Sequence, residues 1–116
     1  MQTIVELPEF QRKSDKLLKD SEKQSIINYL AFHPDSGDLL RGTGGIRKLR
    51  WSAQNKGKSG GVRIIYYYRN ESSPLFLLSV FGKGEKTILS KGERNELAAI
   101  TSLLVKYYRE PNDKSI

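Results

Sequence analysis

Apolar positions along the chain recur first in strand rhythm, then in helix rhythm, then in strand rhythm again. Thr3-Ile4-Val5-Glu6-Leu7 is a short β-prone run closed by Pro8, which predicts a strand. Pro8 can open a helix, because the first turn has no use for its missing N–H, and Phe10, Ser14, Leu17 and Leu18 then share a face. Asp20-Ser21 restarts the helical pattern, with Ser21 and Gln24 at the spacing of a capping box. Ile26, Ile27, Tyr29 and Leu30 supply an inward face, and His33-Pro34 ends it. The two helices are predicted to form a hairpin lying on a sheet.

Asp35 to Gly45 is rich in turn formers and reads as a connection. Ile46 to Trp51 reads as the second strand and Ser52 to Gly60 as a polar, basic loop. Val62 to Arg69 has strong β propensity, Asn70-Glu71-Ser72-Ser73 makes a hairpin turn, and Leu75 to Phe81 returns as a further strand. Gly82-Lys83-Gly84-Glu85-Lys86 forms a second basic loop. Ser90 with Glu93 is a capping box opening a last helix, with Leu97, Ile100, Leu104 and Tyr108 on one side and Glu110-Pro111 as its stop. The predicted order is β-α-α-β-β-β-α, an α+β domain with a mainly antiparallel sheet packed against helices. A single domain is expected over 1–110, with 111–116 as a frayed tail.

Composition changes the picture in two ways. The chain has 116 residues, 37% of them apolar, enough for one packed core and too few for two. Without an apolar run of membrane-spanning length, or a basic segment leading into an apolar one at the start, neither a membrane span nor a secretion signal is expected. Cysteine is absent, which excludes disulfides and thiolate metal sites, and a cytoplasmic location is expected. The second change is charge. A formal +7 favours a polyanionic partner, since each neutralised phosphate releases condensed counterions. From Leu39 to Asn70 there is no Asp or Glu, yet Arg41, Arg47, Lys48, Arg50, Lys56, Lys58, Arg63 and Arg69 all fall there. One central stretch therefore carries a field of one sign.

Strand alternation sorts these residues. Lys48 and Arg50 share a face with Ile46, and Arg63 shares one with Ile65, Tyr67 and Arg69, while Val62, Ile64, Tyr66 and Tyr68 point the other way, toward the helices. If the two strands are neighbours, Lys48, Arg50 and Arg63 converge on one open face, with both basic loops at its edge. That suits a phosphodiester backbone, because arginine forks match phosphate oxygens. Arg47, Lys56, Lys58, Tyr67 and Arg69 are candidates for further RNA contact. Against this, isolated surface lysines are usually only solvated, and consecutive strand tyrosines more often pack than stack on bases. His33 reads as structural, and Gly42-Thr43-Gly44-Gly45 lacks the strand and helix that a phosphate-cradling loop requires. One histidine and scattered acids give no metal-ligand spacing, so neither a metal nor a cofactor is expected. A nuclease so equipped has to activate a ribose hydroxyl without a histidine pair. A lysine can take that part where neighbouring cations and desolvation lower its pKa, and arginines can stabilise charge growing on the phosphate.

Three segments in order carry a resemblance to a known family: Gly42-Thr-Gly-Gly-Ile-Arg-Lys-Leu-Arg50, Lys56-Gly-Lys-Ser-Gly-Gly-Val-Arg-Ile-Ile-Tyr-Tyr67, and Leu77-Leu-Ser-Val-Phe-Gly-Lys-Gly-Glu-Lys86. The chain resembles the RelE-like toxins of type II toxin–antitoxin systems, and among them the HigB-type branch. The resemblance implies a ribosome-dependent mRNA endonuclease that enters the ribosomal A site and inhibits translation. It further implies a cognate antitoxin, commonly with a helix-turn-helix domain, through which operator DNA is bound. By motif, Arg63 matches the family's phosphate-stabilising arginine, Lys48 and Arg50 its basic pair on the preceding strand, and Lys83 and Lys86 its basic loop. Where some RelE members carry a catalytic tyrosine, this chain has Thr87-Ile88-Leu89-Ser90, which leaves the general base open between Lys48 and Lys86, with Tyr67 a less favoured third. The rival reading is a non-catalytic nucleic-acid-binding module, or a degenerate toxin acting with its antitoxin in autoregulation.

Overall fold

Proline at the first turn and an extended Leu7 place helix α1 (Pro8–Leu17) directly after strand β1 (Ile4–Glu6), so the chain turns from strand to helix within one residue. The computed structural model describes residues 1–52, 61–82, 84–85 and 90–107. Beyond α1 follow α2 (Asp20–Phe32), β2 (Asp38–Leu39), β3 (Ile46–Trp51), β4 (Val62–Tyr67), β5 (Leu75–Gly82) and α3 (Lys91–Tyr107). The strands form one five-stranded sheet in the order β1-β5-β4-β3-β2. All neighbours are antiparallel except β1, which lies parallel to β5. The α+β class with a mainly antiparallel sheet is therefore as the hydrophobic pattern predicts. Among the described residues, no helix is long and apolar enough to cross a membrane.

Local departures from the sequence pattern have simple causes. The connection after α2 contains the two-residue edge strand β2, too short to leave a periodic signature. The α2 helix begins at Asp20 and is capped by its neighbours rather than by Ser21 and Gln24. Glu22 Oε1 accepts the Lys19 N–H at 3.1 Å, and Gln24 Nε2 instead donates to Asn28 Oδ1 at 2.9 Å. The predicted box at Ser90 does form: Ser90 Oγ accepts the Glu93 N–H at 3.1 Å and Glu93 Oε1 accepts the Ser90 N–H at 2.8 Å. In α3 the inward positions are Leu97, Thr101, Leu104 and Val105, while Ile100 is turned outward and 38% exposed. Tyr108 lies outside the described residues.

Both faces of the sheet are packed. On one, Val62, Ile64, Tyr66, Leu75, Leu77 and Val80 meet Phe10 of α1 and Ile26 and Leu30 of α2. On the other, Ile46, Ile65, Tyr67, Phe76 and Leu78 meet Leu104 of α3. Burying each of these large side chains stabilises the fold by about 1.5–3 kcal/mol. Tyr66 adds a polar tie, its hydroxyl accepting the buried Gly37 N–H at 2.9 Å. A side chain at Gly37 would collide with that tyrosine, since a Cβ there would lie 2.9 Å from its ring.

Candidate nucleic-acid interface

The pairing of β3 with β4 fixes the geometry of the basic residues. Arg50 is directly opposite Arg63, and Lys48 directly opposite Ile65. Facing positions across antiparallel strands stand roughly 5 Å apart, so two guanidinium stems start side by side from a rigid base. Arg50 is exposed, and Lys48 and Arg63 are half-buried. The ion pairs formed among the described residues, Lys13–Glu9 and Lys23–Glu6, involve none of these three cations. Like charges directly opposite one another destabilise a sheet, so the Arg50–Arg63 pair carries a cost that packing does not explain.

The next strand completes the row. A register shift in β5 opposite Ile65 and Tyr66 makes Ser79 the partner of Ile65 and Leu77 the partner of Tyr66, leaving Leu78 as the extra residue of a bulge. The bulge inverts the alternation that follows, so Val80 joins the core under α1 and α2 while Phe81 packs on the opposite face, opposite Arg63. Helix α1 runs on beside β5 where β1 stops, and its Glu9, Lys13 and Leu17 edge meets this row. Lys13 Nζ stands 4.1 Å from the centroid of the Phe81 ring, Ser79 Oγ donates to Glu9 Oε2 at 2.7 Å, and Lys13 pairs with Glu9 at 3.7 Å. Lys13, Glu9, Ser79 and Phe81 thus adjoin the basic face without having been singled out by sequence. The i,i+4 charge pair of α1 is visible in the sequence, but its position beside the arginines follows only from the β1–β5 pairing and the bulge.

Helix α3 changes the expected open face. It covers the half that holds Ile46, Tyr67, Phe76 and Leu78, so among the described residues Lys48, Arg50 and Arg63 lie on the half that it leaves uncovered. The glycine-rich segment before β3 seats that helix: Gly44 and Gly45 have φ of 78° and 119°, and a Cβ at either would lie 2.8 Å from Thr101 or Tyr67. Thr101 Oγ1 donates to the Ala98 carbonyl at 2.8 Å and lies 3.4 Å from the Thr43 carbonyl, while Thr43 Oγ1 donates to the Leu40 carbonyl and accepts the Ile46 N–H. Gly42 to Gly45 is therefore a seat for α3.

Three candidates for RNA contact fall away from the accessible half. Arg47 points to the other face, where its Nη1 donates to the carbonyls of Asp35 at 3.1 Å and Gly37 at 2.8 Å. Its guanidinium pins the turn after α2. Tyr67 is 5% exposed, its ring stacked with Phe76 at 6.3 Å between centroids, so it is a core residue and not a base platform. Burial also pushes its hydroxyl above the ordinary tyrosine value, opposed more weakly by Arg69, which is the wrong direction for a general base at neutral pH. Arg69 is exposed but lies beyond the end of β4, six residues from Arg63, roughly 20 Å along an extended strand. Lys56, Lys58, Lys83 and Lys86 lie outside the described residues. No family model matches the chain.

Proposed function

We propose that this chain is an endoribonuclease of the RelE/HigB kind, the toxin of a toxin–antitoxin pair, which cuts messenger RNA in the ribosomal A site and so inhibits translation. The observation that carries the reading is the Arg50–Arg63 pair. Two arginines held face to face on a rigid sheet, with Lys48 on the same face and no carboxylate paired to any of them among the described residues, suit a phosphate held from two sides. The three-segment resemblance supports the choice of substrate and the need for the ribosome. It also supports the expected partners: an antitoxin with a helix-turn-helix domain, and operator DNA bound through it.

In this mechanism the ribose 2′-oxygen attacks the adjacent phosphorus and the 5′-oxygen of the next nucleotide leaves. The products are a 2′,3′-cyclic phosphate and a 5′-hydroxyl. A base takes the 2′-hydroxyl proton and an acid returns one to the leaving oxygen. Arg63 and Arg50 stabilise the charge that grows on the nonbridging oxygens. Lys48 is positioned on the same face to handle the 2′-proton, while Lys86 remains the second candidate for that role.

The test is to induce the wild-type chain and Arg63→Ala at equal protein levels without antitoxin. Growth arrest and mRNA 5′-ends confined to translated reading frames are expected for the first. For the second, cutting should slow about 100-fold or more, the cost of losing one preorganised donor. A binding-only module would retain RNA affinity and give no Arg63-dependent ends. Full toxicity of Arg63→Ala would place the site elsewhere, and equal cutting of naked RNA would remove the ribosome from the mechanism.

A further inference from the structure

Strand β2 pairs with β3 only at Arg47 and Lys48, so among the described residues β3 has no strand partner on that side from Leu49 to Trp51. Just there, Tyr29, Leu49, Arg50, Trp51 and Ser52 line a shallow groove of about 340 Å³. Tyr29 of α2 meets the Trp51 ring edge-on at 5.5 Å, and both rings keep exposed surface: Tyr29 is 38% exposed and Trp51 half-buried. Trp51 and Leu49 belong to the face covered by α1 and α2, whereas Arg63 and Lys48 lie on the opposite face. Arg50 belongs to both places, standing opposite Arg63 and lining the groove.

We propose that this groove is a nucleobase subsite, taking one unstacked base of a single-stranded RNA whose neighbouring phosphate is held by Arg50. The inference rests on the endoribonuclease reading and adds to it where a base next to the held phosphate goes. Its occupant follows from chemistry on both sides of the β3 margin. Two aromatic rings line the groove, Tyr29 itself packing on the His33 ring at 4.8 Å between centroids, and an aromatic surface of this kind can take the π-face of any base without demanding a particular hydrogen-bond pattern. Arg50 at its rim also stands opposite Arg63, inside a stretch from Leu39 to Asn70 that contains no acid. A strand crossing from the row to the groove turns around the edge of β3 beyond Lys48, where no other strand pairs with it among the described residues. An acidic peptide would satisfy the rim but has no need of two aromatic rings set edge-on.

Trp51 is the chain's single tryptophan, so its emission reports the groove directly. The experiment titrates the full chain carrying Arg63→Ala, which keeps RNA intact, with a short single-stranded oligoribonucleotide at low salt. An abasic oligomer of equal length and charge is titrated in parallel. The base-containing oligomer should quench Trp51 saturably, and the abasic one should bind through Arg50 without quenching. Tyr29→Ala should weaken binding of the first about tenfold and leave the second unchanged, as loss of one stacking partner does. Tyr29→Phe, which retains the ring, should restore the affinity and guards against a folding artefact. Equal quenching by the abasic oligomer, or unchanged emission up to millimolar base-containing oligomer, overturns the subsite. So does a response to an acidic peptide in the absence of a response to RNA. None of these results touches the Arg63 test of cutting, so the subsite and the nuclease reading fail separately.

Discussion

On the face of the sheet covered by α1 and α2, Ile64, Tyr66, Leu75, Leu77 and Val80 are shut from solvent against Phe10, Ile26 and Leu30. On the other face the same strands carry a core only at one end, under α3, and at the other end present Lys48, Arg50, Arg63 and Phe81. The difference is one of consistency. Most positions of the first face agree with burial, and its one arginine in β3, Arg47, is spent on the backbone carbonyls of Asp35 and Gly37, whereas the second places two arginines directly opposite each other in a sheet, a local arrangement that packing disfavours. Departures of this kind concentrate where a protein binds something of opposite charge.

The comparison can be broken by truncating one residue on each face. Phe10→Ala removes a fully buried ring from the closed face and should cost roughly 3–5 kcal/mol, read as a large fall in the urea midpoint. Arg63→Ala should leave that midpoint close to wild type while slowing cutting about 100-fold, roughly 3 kcal/mol of transition-state stabilisation. If Arg63→Ala destabilised the chain as much as Phe10→Ala, the arginine would be a structural residue and the two faces would be alike.

A finer contrast lies within β3. Arg47 and Lys48 are adjacent, yet strand alternation sends Arg47 to the Asp35 and Gly37 carbonyls and Lys48 to the basic face. Arg47→Ala should cost about 1.5–3 kcal/mol of stability, the range for hydrogen bonds to a charged donor. Cutting per folded molecule should be unchanged. A specific loss of cutting at full stability would return Arg47 to the RNA-contacting set.

These contrasts mark what the sequence could and could not reveal. The α+β order follows from the switch between helical and period-two patterns, and the faces of β3 and β4 and the burial of Tyr66 follow from the alternation itself. The placement of α3 does not, because Leu97, Ile100 and Leu104 suggest an inward stripe without naming the surface it meets, and the helix settles with Thr101 inward and Ile100 outward. Tyr67 shows the consequence: alternation puts it on the face of Lys48 and Arg63, but α3 covers that end of the face and makes it a core residue. The bulge at Leu78 has no sequence mark either, and it decides that Phe81, and with it Lys13, stands beside Arg63.

Tyr66 supplies a smaller effect that depends on pH. Burial raises its hydroxyl above the ordinary tyrosine value, outweighing the hydrogen bond from Gly37 that pulls the other way. With a folded pKa raised above the unfolded one, the folded state binds the proton more tightly. Its stabilising contribution is complete below about pH 10 and is lost as pH rises through the folded value. Tyr66→Phe should therefore cost about 1 kcal/mol at pH 7, where the bond to Gly37 is missing. The gap to wild type should narrow above pH 10, because phenylalanine has no proton to lose. Parallel stability curves from pH 7 to 11 would show that the hydroxyl does not titrate with unfolding.

The smallest effect has the least ordinary sign. Replacing Arg50 by threonine removes one of two facing cations and supplies a residue that strands favour. Because Arg50 is exposed, the repulsion it relieves is screened by water, and the gain should be about 0.5 kcal/mol or less. Salt separates the two contributions. The part due to charge should be largest near 10 mM salt, where the screening length is about 30 Å, and should vanish near 1 M, where it is about 3 Å. The part due to β propensity should persist at both. The same substitution should reduce the salt dependence of RNA binding by somewhat less than one charge, as losing one phosphate contact does. A variant that is more stable at low salt and weaker toward RNA would locate the cost and the use of the Arg50–Arg63 pair in the same two side chains. Loss of stability at every salt concentration would mean that Arg50 has a structural partner, and the unbalanced face would no longer be unbalanced.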